Sequence, residues 1–352
     1  MDMESNGFFH YHETVSLVQM ATPGEVLILD PLAVRDLSSL GAILSSPRTR
    51  KILHGSDYDL RSFDRQYGFH FRNLYDTAVA TSLLNQELMG LGRALEAYLG
   101  VKVSKPARLQ RSDWSRRPIP ADALEYAVQD AAHLIALHDA LDAKLASLNR
   151  RDWMAEECAL MEEIRFEPPP PPEKACFSSK GTFDLEPSQL AVFREFYLLR
   201  ERDAERMDRP PFKVLSNEAM LAIAREPRRS LGDLPNANRR WIAERAGDIR
   251  AAVERGLNAP PITHPSKLKR QPNPWHDAAR ETWQNLNAAR KKMASSLGIG
   301  PSTLWPTRSL EQIALHPEIV EQELSGTSQH GVRAWQRTVF GPALKTVLEG
   351  VY

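Results

Sequence analysis

Acidic side chains stand at three places in the sequence where carboxylates could bind a metal ion together. Asp2 and Glu4 are two residues apart just ahead of a predicted strand, and in an extended segment both point to one face. Asp59 follows another short strand, and Tyr126 precedes Asp130 at the i, i+4 spacing that places two side chains on one helix face. Carboxylates buried together repel each other unless a cation neutralises them. These residue types and spacings suit metal-dependent chemistry.

Each of these motifs, taken singly, also has an ordinary structural explanation. Asp2 and Glu4 fit a solvated acidic terminus. Asp59 fits the N3 position of a helix that begins with Ser56 as its N-cap, where an acidic side chain favours the helix dipole. Tyr126 and Asp130 fit a surface pair on a helix. The residues alone therefore leave both interpretations open.

Predicted strands and predicted helices, which must position these side chains, alternate along the first 150 residues. The predicted strands are short runs rich in Val, Leu and Ile, and apolar residues recur with helical periodicity in the predicted helices. This order predicts a mixed α/β sheet layered with helices. The predicted strands are 14–20, 25–30 and 51–54, and the predicted helical stretches are 34–44, 56–67, 77–84, 91–99 and 121–164.

The rest of the chain is predicted to be helical and to contain two linkers. Five consecutive prolines at 168–172 favour a semi-rigid spacer and a domain boundary. Helical patterns cover 185–255, a Pro- and Lys-rich stretch follows, and helical patterns resume from 275. Segments 196–204 and 286–294 are similar and lie about 90 residues apart, a spacing typical of two small domains rather than of a solenoid.

The composition excludes several classes of protein. Lys and Arg total 45 and so do Asp and Glu, so no global field attracts the protein to nucleic acid or anionic lipid. No run approaches the roughly 20 apolar residues of a membrane span, and the acidic N-terminus has no signal peptide. Two cysteines, Cys158 and Cys176, cannot form a disulfide framework. We therefore expect a cytoplasmic protein without a membrane partner.

Together the three acidic motifs resemble the exonuclease motifs of the DEDD superfamily in its tyrosine branch. The sequence around them is more closely similar to the ribonuclease D family, and residues 186–255 resemble an HRDC domain. Residues 275–350 resemble a second, more divergent copy of that domain. The segments that carry the similarity outside the acidic motifs are 17–21, 30–32, 51–54, 74–77, 112–118, 199–201 and 210–216.

The resemblance implies an α/β exonuclease domain with a ribonuclease H-like mixed sheet flanked by helices, followed by two all-α HRDC-like domains. The exonuclease domain is expected over 1–167, and a Pro-rich linker over 168–184. The expected HRDC domain covers 185–257, a second linker covers 258–274, and the divergent copy covers 275–352.

The resemblance also implies an activity. The family hydrolyses RNA from its 3′ end and releases 5′-mononucleotides. For this chain we expect tRNA precursors as the substrate and a monomer as the oligomeric state. Asp2, Glu4, Asp59 and Asp130 are implied to hold two divalent ions, and Tyr126 to position the attacking water. Ligands that are all oxygen select Mg²⁺ or Mn²⁺ rather than zinc.

Contacts with RNA must come from local charge because the total charge is zero. Residues 101–119 carry six basic side chains against a single acidic one, and we single out Lys105, Arg111, Arg116 and Arg117 as candidate RNA-binding residues. A second basic stretch covers 265–292. Such patches bind phosphate without reading sequence. A solvated face is an equally good interpretation of each patch.

Two further alternatives remain open from the sequence. The chain starts one residue before Asp2, whereas ribonuclease D chains usually have further residues there. We interpret this as a misassigned start, with a truncated and weak enzyme as the alternative. The competing functions are a DNA 3′–5′ exonuclease and a non-catalytic RNA-binding protein.

Overall fold

A computed structural model describes residues 1–103, 106–268 and 275–350, and these residues form two compact units. The first unit combines Met1–Glu4 and Val15–Phe166 with the described residues after 274. The second unit combines Ser5–Thr14 with the described residues from Glu167 to 268. Each unit is therefore assembled from segments that are distant in the sequence.

The strands of the first unit form a three-stranded and a two-stranded sheet within the described residues. The larger sheet has β2 in the middle, paired antiparallel with β3 so that Val18 lies opposite Leu29. The smaller sheet pairs β4 and β5 in parallel. Parallel and antiparallel pairs are thus both present, as predicted, but in two sheets rather than one. The strands are β1 (Asp2–Ser5), β2 (Val15–Ala21), β3 (Val26–Leu29), β4 (Lys51–Leu53) and β5 (Leu74–Asp76).

Helices make up most of the described chain, and they are numbered along the sequence. The first part contains α1 (Ser38–Ser45), α2 (Asp57–Tyr67), α3 (Thr77–Ser82), α4 (Leu91–Leu99), α5 (Ala107–Gln110), α6 (Ala121–Ala132), α7 (Leu134–Ser147) and α8 (Arg151–Met161). The middle contains α9 (Pro172–Ala175), α10 (Pro187–Arg206), α11 (Pro211–Val214), α12 (Asn217–Arg225), α13 (Arg239–Glu244), α14 (Ala246–Asn258) and α15 (Pro265–Leu268). The last part contains α16 (Asp277–Leu297), α17 (Pro301–Leu304), α18 (Thr307–Leu315), α19 (Val320–Ser325) and α20 (Ala334–Glu349).

The long helical stretch predicted over 121–164 is divided into α6, α7 and α8. The first break falls at His133, and the second at Leu148–Arg150, where Asn149 adopts a φ of 56°. Asparagine tolerates this left-handed conformation better than most residues do, so it can end a helix without glycine. The periodicity predicted helix but carried no signal for either break.

The last part of the chain shares a hydrophobic core with the first. Leu83 and Leu137 belong to the same buried cluster as Leu286, Trp305 and Phe340. In addition, the rings of Trp153 on α8 and Trp335 on α20 stack with their centroids 4.3 Å apart. Residues 275–350 thus complete the first unit, while their separation as a domain of their own stays a prediction.

The second unit is built around α10, which contacts α11, α12 and α14. Phe193 and Phe196 of α10 are fully buried in its core. Asp203, also on α10, is buried and accepts hydrogen bonds from Trp241 Nε1 and Arg245 Nε, both at 2.8 Å. The hydrogen-bonded ion pair of Asp203 and Arg245 therefore joins α10 to the start of α14.

The helices α10 to α14 and α16 to α20 have the same order and similar lengths. Each set contains a helix of 20 or 21 residues, a four-residue helix that begins with proline, and a nine-residue helix. A six-residue helix and a longer closing helix follow in each set. Buried positions correspond at a constant offset of 90 residues. The pairs are Phe196 with Leu286, Arg200 with Arg290, Leu215 with Trp305, Met220 with Leu310 and Ile223 with Ile313.

Candidate active site

Strand β1 presents two carboxylates on one face. Met3 between them is buried in the core of the first unit, and Asp2 and Glu4 are half-buried on the opposite face. This is the alternation expected of an extended segment. The buried methionine fixes the strand against the core and so directs both acidic side chains away from it.

Helix α6 contributes Tyr126 and Asp130, and both side chains are buried. The ring of Tyr126 packs beside Trp114 with centroids 6.2 Å apart. Its hydroxyl is hydrogen-bonded to Asp130 and to Gln110 of α5. Burial raises the pKa of Tyr126 well above its ordinary value, and the charge of Asp130 adds to this rise. The phenol therefore remains protonated at any physiological pH.

The structure brings the two motifs together. Carboxylate oxygens of Asp2, Glu4 and Asp130 lie within 4.8 Å of one another, a grouping that could hold a metal ion. Oxygen ligands of this kind suit hard divalent cations. A cation would also relieve the repulsion between the three charges, so these residues fit the metal that the exonuclease motifs imply.

Asp59 lies in the first turn of α2 and is also buried. Burial raises its pKa well above the ordinary aspartate value, and the nearby charge of Asp2 raises it further. Ser56 occupies the N-cap position but makes no capping bond to the helix, and its hydroxyl donates to Asp76 Oδ2 at 2.7 Å instead. The capping-box interpretation of Asp59 therefore fails, while its proximity to Asp2 favours a role beside the other carboxylates.

A cavity of about 300 Å³ opens at Asp2, Glu4 and Asp130, and Asp59 is not among its lining residues. Besides these three acidic residues and Tyr126, it is lined by His54, which directly follows β4, and by Gln110. The Nδ1 atom of His54 lies 2.8 Å from the hydroxyl oxygen of Thr77. No short-range sequence pattern singles out His54 or Gln110 as a residue of the site.

The buried carboxylate of Asp76 shapes the turn that leads into α2. It accepts hydrogen bonds from the backbone N–H of Gly55 at 2.9 Å and of Ser56 at 2.7 Å. It also caps α3 by accepting from the N–H of Ala78 at 2.8 Å. This acidic residue thus positions the start of the Asp59 helix from the neighbouring parallel strand, a contact that no short-range pattern indicates.

The first residue of the chain lies beside the site. The α-amino group of Met1 donates a hydrogen bond of 2.6 Å to the carbonyl oxygen of Ile52. Burial lowers the pKa of this amino group to about 6, although the charges of Asp2 and Asp59 act in the opposite direction. The contact ties the start of β1 to β4, the strand that leads to Asp59.

The four candidate RNA-binding residues have different surroundings. Lys105 lies outside the described residues, and Arg111 and Arg116 are exposed. Arg117 is exposed as well, but it bonds to Asp30 through Nε and Nη2, both at 2.7 Å, and to the carbonyl of Ser16 at 2.9 Å. The hydrogen bond from Arg117 holds the pKa of Asp30 below its ordinary value. Arg117 is therefore occupied within the fold.

Comparison with known proteins agrees with this geometry. The family described as 3′–5′ exonuclease matches residues 1–146, which contain all five predicted site residues, and the HRDC domain family matches 189–245. Exonuclease domains of this type depend on divalent metal ions. The fold and the site thus define a 3′–5′ exonuclease that carries an HRDC domain.

Relatives over nearly the full chain specify the family. Ribonuclease D of Nitrobacter hamburgensis is 30% identical over 353 residues, covering 97% of this chain and 87% of that protein. Ribonuclease D of Pseudomonas paraeruginosa is 28% identical and covers 96% of this chain and 89% of that protein. The crystal structure of Escherichia coli RNase D has the same fold, with a TM-score of 0.66 at 23% identity over 99% of this chain and 92% of that one. The chain belongs to the ribonuclease D family of 3′–5′ exoribonucleases.

Proposed function

We propose that this chain removes nucleotides one at a time from the 3′ ends of tRNA precursors and releases 5′-mononucleotides. The observation that carries the proposal is the grouping of Asp2, Glu4 and Asp130 within 4.8 Å, beside the hydroxyl of Tyr126. The relatives named ribonuclease D and the 3′–5′ exonuclease family match support the direction of degradation.

We propose that Asp2, Glu4, Asp59 and Asp130 hold two divalent ions, Mg²⁺ or Mn²⁺. Such a pair of ions stabilises the attacking and the leaving oxygen of an in-line displacement at phosphorus. The buried, like-charged surroundings of Asp59 support its inclusion, because a cation would compensate the charge that burial otherwise disfavours.

Tyr126 would act in this site as a positioning group. Its raised pKa keeps the phenol protonated, so its hydroxyl orients a water molecule by hydrogen bonding and does not remove a proton. Gln110 and Asp130 hold the hydroxyl from two sides, and Trp114 supports the ring. The orientation of the tyrosine is therefore set before a substrate arrives.

We also propose that the helices α16 to α20 are a second, divergent HRDC copy. The constant 90-residue offset of buried positions and the shared order of helices support this. We propose that exposed Arg111 and Arg116, together with Lys105, contact the RNA backbone.

In the described residues no helix is both long and apolar enough to span a membrane. A cytoplasmic monomer is our proposal for the working form.

The proposal is tested by incubating a 5′-labelled tRNA transcript with a 3′ extension in Mg²⁺, in Mn²⁺ and in EDTA. Stepwise shortening that requires metal and disappears in Asp130→Ala is the expected result. A transcript that is bound but never shortened would indicate a non-catalytic RNA-binding protein. A DNA strand of the same sequence, degraded faster than the RNA, would indicate a DNA exonuclease instead.

A further inference from the structure

The last residue of α5, Gln110, reaches the candidate active site from the surface of the first unit. It lines the cavity that opens at Asp2, Glu4 and Asp130. Its side chain is hydrogen-bonded to the hydroxyl of Tyr126, although Gln110 itself is exposed. All of these residues belong to the first unit, so the contact is part of one compact body.

The place of Gln110 is fixed by the two residues before it. Leu109 is buried in the same hydrophobic cluster as the ring of Tyr126. Arg108 bonds through Nη2 to Asp122, in the first turn of α6, at 2.6 Å. An apolar contact and an ion pair therefore hold α5 against the helix that carries Tyr126, and with it the amide of Gln110.

The directions of the two hydrogen bonds at Tyr126 follow from the groups that make them. A phenol has a single hydrogen to donate, and an ionised carboxylate can only accept. The hydroxyl therefore donates its hydrogen to Asp130. The side chain of Gln110 must then be a donor through its amide N–H, because the phenol has no second hydrogen to give. The hydroxyl oxygen of Tyr126 is left able only to accept.

This direction decides how a water molecule can bind at the hydroxyl. The water must donate one hydrogen to the phenol oxygen, and its lone pairs then remain for the phosphorus atom. If the O–H group of Tyr126 pointed the other way, it would donate to the water and occupy a lone pair that the attack needs. The orientation of one O–H bond therefore sets which side of the water faces the substrate.

We propose that Gln110 is a positioning residue for the attacking water and acts through Tyr126. Its amide N–H makes the reversed O–H orientation unfavourable, because two donors would then face each other. Asp130 alone would hold the hydroxyl less firmly in the working site, since its carboxylate is shared with the metal ion there. The inference rests on the proposed function, in which Tyr126 orients the water.

Two substitutions of Gln110 separate a donor from a merely polar group. Gln110→Met keeps the length of the side chain and removes the amide, and the loss of one neutral hydrogen bond corresponds to roughly two- to tenfold in kcat. Gln110→Glu keeps the size and polarity, but an ionised carboxylate accepts only and competes for the hydrogen of Tyr126. We therefore expect a larger loss in Gln110→Glu than in Gln110→Met. A group that only needed to be polar would give the opposite order.

A double-mutant cycle tests whether Gln110 acts through Tyr126. Tyr126→Phe has no hydroxyl for the amide to hold, so Gln110→Met should cause no further loss of kcat in that background. RNA affinity in EDTA should be unchanged in Gln110→Met, because the basic residues of the segment remain. The matched control is Gln86→Met, at an exposed glutamine of the same unit that does not line the cavity, and it should match the wild type.

Nuclear magnetic resonance of tyrosine labelled with ¹³C at the ζ carbon gives a readout that needs no turnover. The signal of Tyr126 is identified by its loss in Tyr126→Phe. In EDTA it should move in Gln110→Met and stay in place in Gln86→Met.

The proposal is overturned if the Tyr126 signal does not move, or if Gln110→Met slows the Tyr126→Phe enzyme as much as it slows the wild type. Loss of RNA affinity in Gln110→Met with an unchanged kcat would also overturn it. A wild-type chain that degrades no RNA would refute the proposed function, and the carbon signal would still decide whether Gln110 holds the hydroxyl.

Discussion

The hydroxyl of Tyr126 is bonded to the carboxylate of Asp130, one turn further along α6, and to the side chain of Gln110. The phenol is thus placed between a predicted metal ligand and a neutral amide, in a buried position where it stays protonated. Asp130 can therefore bind the metal ion while Tyr126 orients the water molecule, so the two residues have separate roles.

Replacing Tyr126 by phenylalanine removes the hydroxyl and keeps the ring that packs beside Trp114. We expect kcat to fall on the order of a hundredfold, the loss that misplacing a reacting group by about 1 Å can cause. Metal affinity should remain, because the carboxylate cluster is intact. Single-turnover rates and Mn²⁺ titration measure the two effects, with Asp130→Asn as the comparison that should lose both. Equal losses of metal affinity in the two variants would contradict the division of roles.

The buried carboxylate of Asp59 should destabilise the metal-free protein at neutral pH. Its pKa is raised in the folded state by burial and by the charge of Asp2. The folded state is therefore favoured while Asp59 is protonated, and stability falls as pH rises through the raised pKa. Asp59→Asn should melt higher than the wild type at pH 7 in EDTA, and 1 kcal/mol corresponds to roughly 2–4 °C in a unit of this size.

The advantage of Asp59→Asn should shrink as pH falls toward 3.8, the ordinary aspartate pKa, and also when divalent metal is added to the wild type. Calorimetry across this pH range measures the difference in melting temperature between Asp59→Asn and the wild type. Asp57→Asn is the matched control, since Asp57 is an exposed residue of the same helix. A lower melting temperature for Asp59→Asn in EDTA at pH 7 would argue against a destabilising buried charge.

Substitutions of the neighbouring residues Arg116 and Arg117 should affect different properties, RNA binding in the first case and stability in the second. Arg116 is exposed, so Arg116→Ala should weaken RNA binding and reduce the slope of log affinity against log salt by about 0.7. Arg117 bonds to Asp30 and to Ser16, so Arg117→Ala should cost about 1–2 kcal/mol of stability. Filter binding over a salt series and chemical denaturation distinguish the effects. A stability loss in Arg116→Ala with an unchanged salt slope would refute its assignment to RNA.

Trp335 should be needed for the stability of the first unit. It is buried, stacks on Trp153, and donates through Nε1 to Glu157 at 2.9 Å. Trp335→Ala should cost about 3–5 kcal/mol, the usual range for removing a buried aromatic ring. Trp335→Phe keeps a ring and should lose less. Proteolysis within residues 15–166 should become faster in Trp335→Ala, and unchanged cleavage there would show that the last helices fold independently.

The elements near the site were largely predictable, because their signals are local. Short runs rich in Val, Leu and Ile indicated β2 and β3, and the i, i+4 spacing placed Tyr126 and Asp130 on one helix face. The structure brings Asp130 beside Asp2 and Glu4, which joins two of the three motifs, while the place of Asp59 beside them and the roles of all these residues remain predictions.

The contacts that were not predictable join residues far apart in the chain. Arg117 was singled out for its charge, but its partner Asp30 is 87 residues away. Asp208 reaches His10 over 198 residues, and nothing in either segment indicates the other. The apolar faces of α16 and α20 predicted helices with a buried side but not which core would bury it. Periodicity shows that a face is buried and is silent about its partner.

The discontinuous build of the first unit has a consequence for protein synthesis. Its core includes Leu348, whereas its β-strands lie within the first 76 residues. At ordinary translation rates the ribosome needs roughly 10–40 s to proceed from residue 166 to residue 350. The hydrophobic core of the first unit is therefore completed only after α16 to α20 have been synthesised. Until these helices emerge, the earlier segments of the unit keep exposed the apolar surface that the helices later bury.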